Sequence, residues 1–326
     1  MSGPTVSAVV TAHDRRAFLP QAVASALASG ADEVVVVRNF AGPIEGAEGR
    51  YRDVLCADAE TGVKEAVGLE TATGDVVAFL DDDDLWEPEK VPQVRVRFGN
   101  DPTLVYYCHY QLPVDSQGRP VAAHHREWAR KEPGRFAQWN GRDFETLFGE
   151  IWPGNNSSTV VRREWALEWS PLLREAGWGA DSFWLVAALL SGKRVQMDDA
   201  RLTRLRLHSA NMSQTRGATR EEFRQRHGLS MQRFSRSWKT LAQCAETRAG
   251  SASPLTRYVR GKAKSSEFLA SLEQGIRPRA SAVEVLRRST GPTERGVTGT
   301  ALVTLLSPAL ARRLLYSSSQ RRWNLQ

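Results

Sequence analysis

A short apolar run, Val76–Leu80, is followed at once by four consecutive aspartates, Asp81 to Asp84. A run of this length is typical of a strand buried on both faces of a parallel sheet. Pro88 then favours the start of a helix, because proline is common in the first helical turn. Four adjacent carboxylates repel one another, and Mg²⁺ and Mn²⁺ prefer such oxygen ligands. We therefore predict a divalent cation site here; the simpler alternative is a solvated acidic turn.

The residues before this run alternate between strand and helix patterns, which predicts an α/β, Rossmann-like, mostly parallel sheet with helices on both faces. In such sheets, ligands bind beyond the carboxyl ends of the strands. We therefore expect the junctions at Thr11–Arg15 and Asp81–Trp86 to form one crevice. The predicted strands are Thr5–Val10, Glu33–Val37 and Asp53–Cys56, and the predicted helices are Ala17–Ser29 and Val63–Thr71.

The middle of the chain holds seven of the ten tryptophans. Core packing is the ordinary reason for such an enrichment, but an indole ring can also stack on the face of a sugar. Trp152, Trp178 and Trp184 stand beside polar loop residues and are therefore the candidates to stack on a sugar. Asn155, in one of these loops, is included as a polar contact. Strands are also predicted at Leu104–Leu112, Ser158–Arg162, Arg194–Met197 and Leu202–Leu207, with a helix at Asp181–Leu190.

Charge is distributed unevenly along the chain. Residues 1–100 carry nine Lys and Arg against seventeen Asp and Glu, whereas residues 216–326 carry twenty-one against seven. The acidic part suits a metal site, and the basic part suits a separate anionic partner. We predict a domain over residues 1–215 that consists of two halves, 1–110 and 111–215. A basic, mainly helical region follows at 216–326.

The end of the chain combines leucines with arginines. Ser307 and Pro308 indicate a helix start, with the serine as cap and the proline in the first turn. Leu302, Leu306, Leu310 and Leu314 recur every four residues. Two interpretations stay open: a helix packed on the main domain, or an interfacial segment over residues 297–326 that lies on an anionic membrane surface. No nucleic acid partner is expected, because no recognisable nucleic-acid-binding module accompanies the basic charge.

The cellular location can be predicted only from what the sequence lacks. No stretch approaches the ~20 apolar residues of a membrane-spanning helix, and Thr5–Val10 is too short for a signal peptide. Three cysteines, at positions 56, 108 and 244, suggest neither a disulfide framework nor a zinc site. A cytoplasmic protein is predicted, with peripheral association at the cytoplasmic face of the membrane as an option.

Five ordered segments resemble the family 2 glycosyltransferases, which have the nucleotide-sugar-binding GT-A fold. The resemblance covers about residues 4–213. The segments correspond to the first strand and its turn, the helix before the acidic strand, the Asp-X-Asp region, the segment that supplies the catalytic base, and the closing motif. They are Val6–Arg15, Gly62–Asp75, Phe79–Trp86, Gly177–Trp184 and Arg204–Ser213.

The resemblance implies specific roles for acidic residues. Asp83 corresponds to the direct metal ligand, while Asp81 and Asp82 would contact the donor ribose or complete the metal shell, with Asp84 in support. Asp181 corresponds to the general base that deprotonates the acceptor hydroxyl. His208 would contact the donor diphosphate or the metal; a buried structural histidine is the alternative.

The resemblance also implies a donor nucleotide site, from which this sequence departs in part. Thr11, His13 and Asp14 would line the base and the ribose. His13 replaces a more usual aromatic hydroxyl residue, and Arg38 stands where the family often has an acidic residue, so Arg38 is included among the predicted nucleotide-binding residues. A carboxylate that commonly precedes the base is absent, since position 180 is alanine.

Together these features predict an inverting transfer from a nucleoside diphosphate sugar to a sugar, polysaccharide or lipid-linked acceptor, assisted by Mg²⁺ or Mn²⁺. The half at 1–110 would bind the donor and the metal, and the half at 111–215 would bind the acceptor. The predicted acceptor-binding residues are Trp152, Asn155, Trp178 and Trp184. Two alternatives stay open. A nucleotidyltransferase would need a phosphate-binding loop near the first strand, for which Arg15 and Arg16 are a poor substitute. A non-catalytic protein that binds sugar nucleotides through the same fold is the other, and Ala180 is the reason to retain it.

Overall fold

The computed structural model describes residues 3–121, 147, 154–208, 219–287 and 295–323. The chain divides into two compact units. The first, called here the sheet unit, runs to residue 207 without the segment 141–149, and the second, the helical unit, comprises that segment and residues 208–326. The predicted boundary between 215 and 216 falls outside the described residues and stays a prediction.

The sheet unit is built on one eight-stranded sheet with the order β3-β2-β1-β4-β7-β6-β8-β5. Strands β3, β2, β1 and β4 are parallel, as the alternation predicts, while β7 runs antiparallel to both β4 and β6. The predicted α/β GT-A fold class is confirmed. The strands are β1 Val6–Ala12, β2 Glu33–Arg38, β3 Arg52–Leu55, β4 Val76–Asp81, β5 Leu85–Trp86, β6 Leu104–Val114, β7 Thr159–Arg162 and β8 Arg194–Arg206.

Helices in the described part of the sheet unit are α1 Leu19–Ala28, α2 Thr61–Thr71, α3 Lys90–Asn100, α4 Arg163–Ala176 and α5 Ala180–Ser191. Helix α2 approaches the sheet closely through Gly68. A Cβ built on this glycine would lie 2.3 Å from Cγ1 of Val9 in β1. Only the absence of a side chain therefore allows α2 to pack at this depth against the middle of β1.

Strand β8 differs from the sequence prediction, which placed two strands there. Polar residues in its middle suggest a break, but the strand continues through a register shift against His109 and Tyr110 of β6. Asp198 explains the continuity, because its carboxylate accepts hydrogen bonds from the Tyr107 hydroxyl at 2.9 Å and from Arg97 Nε at 2.7 Å. A polar residue with such partners does not end a strand.

The helical unit is formed, in its described residues, by α6 Arg220–Ala249, α7 Pro254–Gln274, α8 Pro278–Leu286, α9 Arg295–Leu306 and α10 Pro308–Trp323. Its core gathers Phe268 and Leu272 with Ala301 and Ala311. The predicted helix start at Ser307 is confirmed, since its hydroxyl accepts the backbone N–H of Leu310 at 3.2 Å. Among the described helices, none has the length and apolar character needed to cross a membrane.

Candidate active site

The two predicted junctions meet at one edge of the sheet. Strands β1 and β4 are parallel neighbours, and Thr11 at the end of β1 is paired in register with Asp81 at the end of β4. The turn after β1 and the acidic turn after β4 therefore leave the sheet side by side. This arrangement confirms that the two junctions lie side by side, and the active crevice expected there stays a prediction.

Three carboxylates gather at the end of β4. One ligand oxygen from each of Asp81, Asp83 and Asp84 lies within 4.8 Å of the others. Burial and the charge of Asp83 raise the pKa of Asp81 to about 6. Asn156 Nδ2 donates to Asp81 Oδ1 at 3.0 Å, which orients this carboxylate. Three close, partly desolvated carboxylates are a donor set that fits Mg²⁺ or Mn²⁺.

Asp84 is fixed in the protein interior. Its carboxylate accepts a hydrogen bond from Ser157 Oγ at 2.7 Å and one from the backbone N–H of Arg206 at 2.9 Å. Burial raises its pKa well above the ordinary carboxyl value. Arg206 also donates from Nε to the backbone oxygen of Asp83 at 2.8 Å. The buried arginine thereby holds the acidic turn in place.

Arg15 is a site residue that the sequence analysis dismissed. Its Nη1 lies 2.5 Å from Asp83 Oδ2, its Nε donates to Asp82 Oδ2 at 3.3 Å, and its Nη2 pairs with the other oxygen of Asp82. Asp14, the preceding residue, has a φ of 56°, a left-handed conformation that turns the chain after β1. The sequence carried a signal for this contact. Arg15 stands in the turn after β1, and the predicted topology places that turn beside the acidic turn after β4.

Asp181 lies in the first turn of α5. Gly179 caps this helix in a left-handed conformation, with a φ of 67°. The Asp181 carboxylate accepts the backbone N–H of Ser182 at 2.7 Å. Burial raises the pKa of Asp181, and the charge of Asp181 in turn contributes to the raised pKa of Asp81. Asp181 thus lies close enough to the acidic cluster to interact with it, and its role as general base stays a prediction.

Trp184 does not have the predicted acceptor-binding position. Its side chain is 0% exposed and its ring stacks on Phe79 at 5.7 Å between centroids. Its Nε1 donates to Glu65 Oε2 at 2.7 Å, so both the face and the edge of the indole are occupied. The structure contradicts the prediction because Trp184 lies on the inward face of α5. Glu65, which the sequence analysis also missed, is fully buried, and burial raises its pKa well above the usual range.

The structure describes two of the other three predicted acceptor residues. Asn155 and Trp178 are half-buried beside the site elements, in the segments before β7 and α5. Trp152 lies outside the described residues. His208 lies two residues after the end of β8 and is half-buried. The acceptor-binding roles of the three residues, and the metal or diphosphate contact of His208, stay predictions.

Residues after β1 form the candidate nucleotide site. Thr11 is buried at the end of the strand, and His13 Nδ1 lies 3.1 Å from Lys64 Nζ. Asp14 and Asn39 hold their two turns together, because Asp14 N–H donates to Asn39 Oδ1 at 2.9 Å and Asn39 Nδ2 donates back to Asp14 Oδ1 at 2.7 Å. These contacts bring the ends of β1 and β2 to one place.

Arg38 is committed to a structural ion pair. Its Nε and Nη2 donate to the two carboxylate oxygens of Asp53 at 2.8 and 2.7 Å, and the residue is 1% exposed. Nη2 also donates to the backbone oxygen of Gly42. A buried arginine engaged in this way leaves little surface for a nucleotide. The structure therefore contradicts the predicted nucleotide contact of Arg38.

Comparisons with known proteins agree with this geometry. Residues 66–165, which include the acidic turn, match the model of the family described as Glycosyl transferase family 2. This match confirms the predicted resemblance to the family 2 glycosyltransferases. A comparison with curated proteins found no match.

Solved structures of S. aureus TarS share the architecture. TarS 1–349 in complex with UDP-GlcNAc is 16% identical, with 98% of this chain and 91% of that chain covered and a TM-score of 0.51. A second structure of TarS 1–349 has the same identity and coverage, with a TM-score of 0.49. At this identity, the likeness shows the fold alone.

Proposed function

We propose that this protein transfers a sugar from a nucleoside diphosphate sugar to an acceptor hydroxyl, with inversion at the anomeric carbon. The observation that carries the proposal is the cluster of Asp81, Asp83 and Asp84, at the sheet edge and within the segment that matches family 2. The TarS structure with UDP-GlcNAc makes this compound the first donor to test. The product would belong to glycan, polysaccharide or lipid-linked sugar assembly.

The acidic cluster would hold the divalent cation. Asp83 and Asp81 are the proposed principal ligands, and Asp84 completes the set from its fixed position. A bound Mg²⁺ or Mn²⁺ would neutralise charge that develops on the leaving diphosphate. Asn156 keeps Asp81 oriented, and Arg206 fixes the turn, so the ligands are held before the donor arrives.

Asp181 is the proposed general base. It would take the proton of the acceptor hydroxyl as that oxygen attacks the anomeric carbon from the face opposite the diphosphate. A pKa raised by burial suits this role, because the carboxylate then holds a proton more strongly. Since no enzyme nucleophile takes part, one displacement inverts the configuration. Trp178 and Asn155 are the proposed acceptor contacts, with Trp152 as a third.

A donor hydrolysis and transfer assay tests the proposal. The full chain is incubated with Mn²⁺ and a panel of nucleoside diphosphate sugars that begins with UDP-GlcNAc, and released nucleoside diphosphate is measured. Asp83→Asn should abolish release. The control is Asp75→Asn at the opposite end of the same strand, where the carboxylate binds Thr5, and it should retain activity. Nucleotide and metal binding without any release in the wild type would favour the non-catalytic alternative.

Residues 297–326 are the proposed contact with an anionic membrane surface. They contain four arginines and no acidic residue. Leu302, Leu306, Leu310 and Leu314 are 54, 82, 47 and 46% exposed. Leu302 and Leu306 belong to α9, and Leu310 and Leu314 belong to the next helix, α10. These four exposed leucines are called here the leucine stripe.

The other side of these helices supports the proposal. Ala301 and Ala311 are buried in the core of the helical unit, so the leucine stripe is a second, outward face. An apolar stripe beside arginines matches the acyl and headgroup layers of an anionic bilayer. This contact would bring the enzyme close to a lipid-linked acceptor.

Vesicle co-sedimentation tests this contact. Leu306→Ser combined with Leu310→Ser should weaken binding of the full chain to vesicles that contain phosphatidylglycerol. Leu55→Ser is a matched control, because Leu55 is 64% exposed but lies in the sheet unit. Equal binding by the double variant and the control would refute the membrane contact.

A further inference from the structure

Arg15 occupies an unusual position for a cationic side chain, because it bonds directly to a carboxylate of the candidate metal site. Nη1 lies 2.5 Å from Asp83 Oδ2, while Nε and Nη2 face the two oxygens of Asp82. The Arg15 side chain is 30% exposed, whereas those of Asp82 and Asp83 are 1% and 8% exposed. The guanidinium therefore closes the acidic turn on its solvent side.

This contact has two consequences for a divalent cation. One oxygen of Asp83 is engaged by Arg15 and is a poorer ligand while that bond lasts. In addition, a guanidinium and a divalent cation on the same carboxylate repel each other strongly in a partly desolvated site. Arg206 adds to the positive charge from the inner side, through its bond to the Asp83 backbone oxygen. Both effects oppose the binding of a cation alone.

A diphosphate changes this balance. Its oxygens carry negative charge, so a diphosphate placed between the metal and Arg15 screens the two cations from each other. The planar fork of an arginine suits phosphate oxygens as well as carboxylates. The 30% exposure of Arg15 gives the side chain access to a ligand in the crevice. The same residue would therefore oppose the metal by itself and favour the metal together with a diphosphate.

We propose that Arg15 couples the two ligands, weakening the binding of a divalent cation alone and strengthening the joint binding of the cation and a nucleoside diphosphate. This inference rests on the proposed function, since it assumes that the acidic cluster binds metal and that the donor carries a diphosphate. Coupling of this kind is reciprocal, so each ligand raises the affinity for the other by the same factor. The enzyme would thereby avoid holding a metal without a donor.

Mn²⁺ titration followed by electron paramagnetic resonance tests the proposal without measuring activity. For the full chain, Arg15→Gln should bind Mn²⁺ alone about tenfold more tightly than the wild type, a factor within the usual range of such couplings. Saturating UDP should tighten Mn²⁺ binding in the wild type by a larger factor than in Arg15→Gln. Arg15→Lys keeps the charge without the fork, so its affinity for Mn²⁺ alone should lie between the two.

Arg16 provides the matched control. Its Nη1 donates to Ala41 O at 3.0 Å and its guanidinium lies over the Phe40 ring at 4.3 Å, so it is committed elsewhere. Arg16→Gln should therefore bind Mn²⁺ as the wild type does. Thermal unfolding of each variant checks folding; if Arg15→Gln does not fold, the comparison of Arg15→Lys with the wild type decides.

The outcomes separate this inference from the proposed function. Unchanged or weaker Mn²⁺ binding in the Arg15 variants, with a wild type that binds Mn²⁺, overturns the coupling and leaves the transferase proposal standing. A wild type that binds no Mn²⁺, with or without UDP, overturns the coupling and the metal site together. Sugar transfer that persists in a chelator would then show that the transferase proposal survives without a metal.

Discussion

The two units of this protein differ in how much charge they bury and how much apolar surface they expose. The sheet unit buries ionisable groups, among them Glu65, Asp84, Lys90 and Arg206, and gives them specific partners. The helical unit leaves large apolar side chains outside, with Leu306 at 82% exposure. Burying an unpaired ionisable group costs free energy, and a large exposed apolar patch usually has a partner. A buried charge network fixes the geometry of a site, whereas an exposed apolar stripe suits the membrane contact proposed above.

Lys90 illustrates the first pattern. Its ammonium group donates to Ser157 O at 2.5 Å and lies 4.2 Å from the centre of the Trp86 ring, and the residue is 0% exposed. Burial lowers its pKa well below the ordinary lysine value. Ser157 also donates to Asp84. The acidic turn is therefore connected, through Ser157, to the buried side chains of Lys90 and Trp86.

The acidic cluster and the proposed base Asp181 both lie in the sheet unit, so we expect the largest effect of a substitution there. Asp181→Asn should lower the turnover rate by about 10²- to 10⁴-fold, the range of general base catalysis. Arg313→Gln in the helical unit should leave turnover with a soluble acceptor unchanged. The measurement is initial rate of sugar transfer under saturating donor and Mn²⁺. Comparable loss in both variants would show that the helical unit takes part in the chemistry.

Packing should be less tolerant in the sheet unit than in the helical unit. Gly68→Ala places a Cβ 2.3 Å from Val9 Cγ1, so either α2 or β1 must shift. We expect a loss of about 2–3 kcal/mol in the free energy of unfolding, typical of overpacking in a close-packed core. Urea denaturation measures it. If the free energy of unfolding of Gly68→Ala equals that of the wild type, α2 can shift away from the sheet without cost.

The pH dependence of transfer should report the buried base. Because burial raises the pKa of Asp181, the carboxylate becomes protonated, and therefore inactive as a base, at a higher pH than an exposed aspartate. The rate should rise with pH through that raised pKa and fall as the pH is lowered below it. Saturating Mn²⁺ keeps the metal-binding carboxylates ionised during the measurement. An acid limb at the ordinary aspartate pKa would count against Asp181 as the base.

The smallest expected effect lies in the helical unit. Gly299 is inside α9, and a Cβ built there meets no atom within 4 Å. Gly299→Ala should therefore raise the free energy of unfolding by roughly 0.5–1 kcal/mol, because alanine costs less entropy than glycine in a helix. The same urea titration measures it. Destabilisation would indicate that this helix face packs against another part of the protein.

The sequence by itself determined the features that depend on neighbouring residues. The apolar runs of β1 and β4 predicted buried parallel strands, and parallel connectivity then required the turns after Thr11 and Leu80 to meet at one edge. Ser307 and Pro308 predicted a helix start for the same reason, since capping uses contacts within one turn. Local pattern was enough in each case because the deciding atoms are close in the chain.

Only the tertiary structure decided which distant groups meet. Arg38 is engaged by Asp53, Trp184 is engaged by Phe79 and Glu65, and Arg15 is brought to the acidic cluster by Asp83. Each of these long side chains could reach several partners, and spacing along the chain does not select one. Burial makes the selection, because a desolvated charge or indole N–H is stable only where a complementary group lies opposite it.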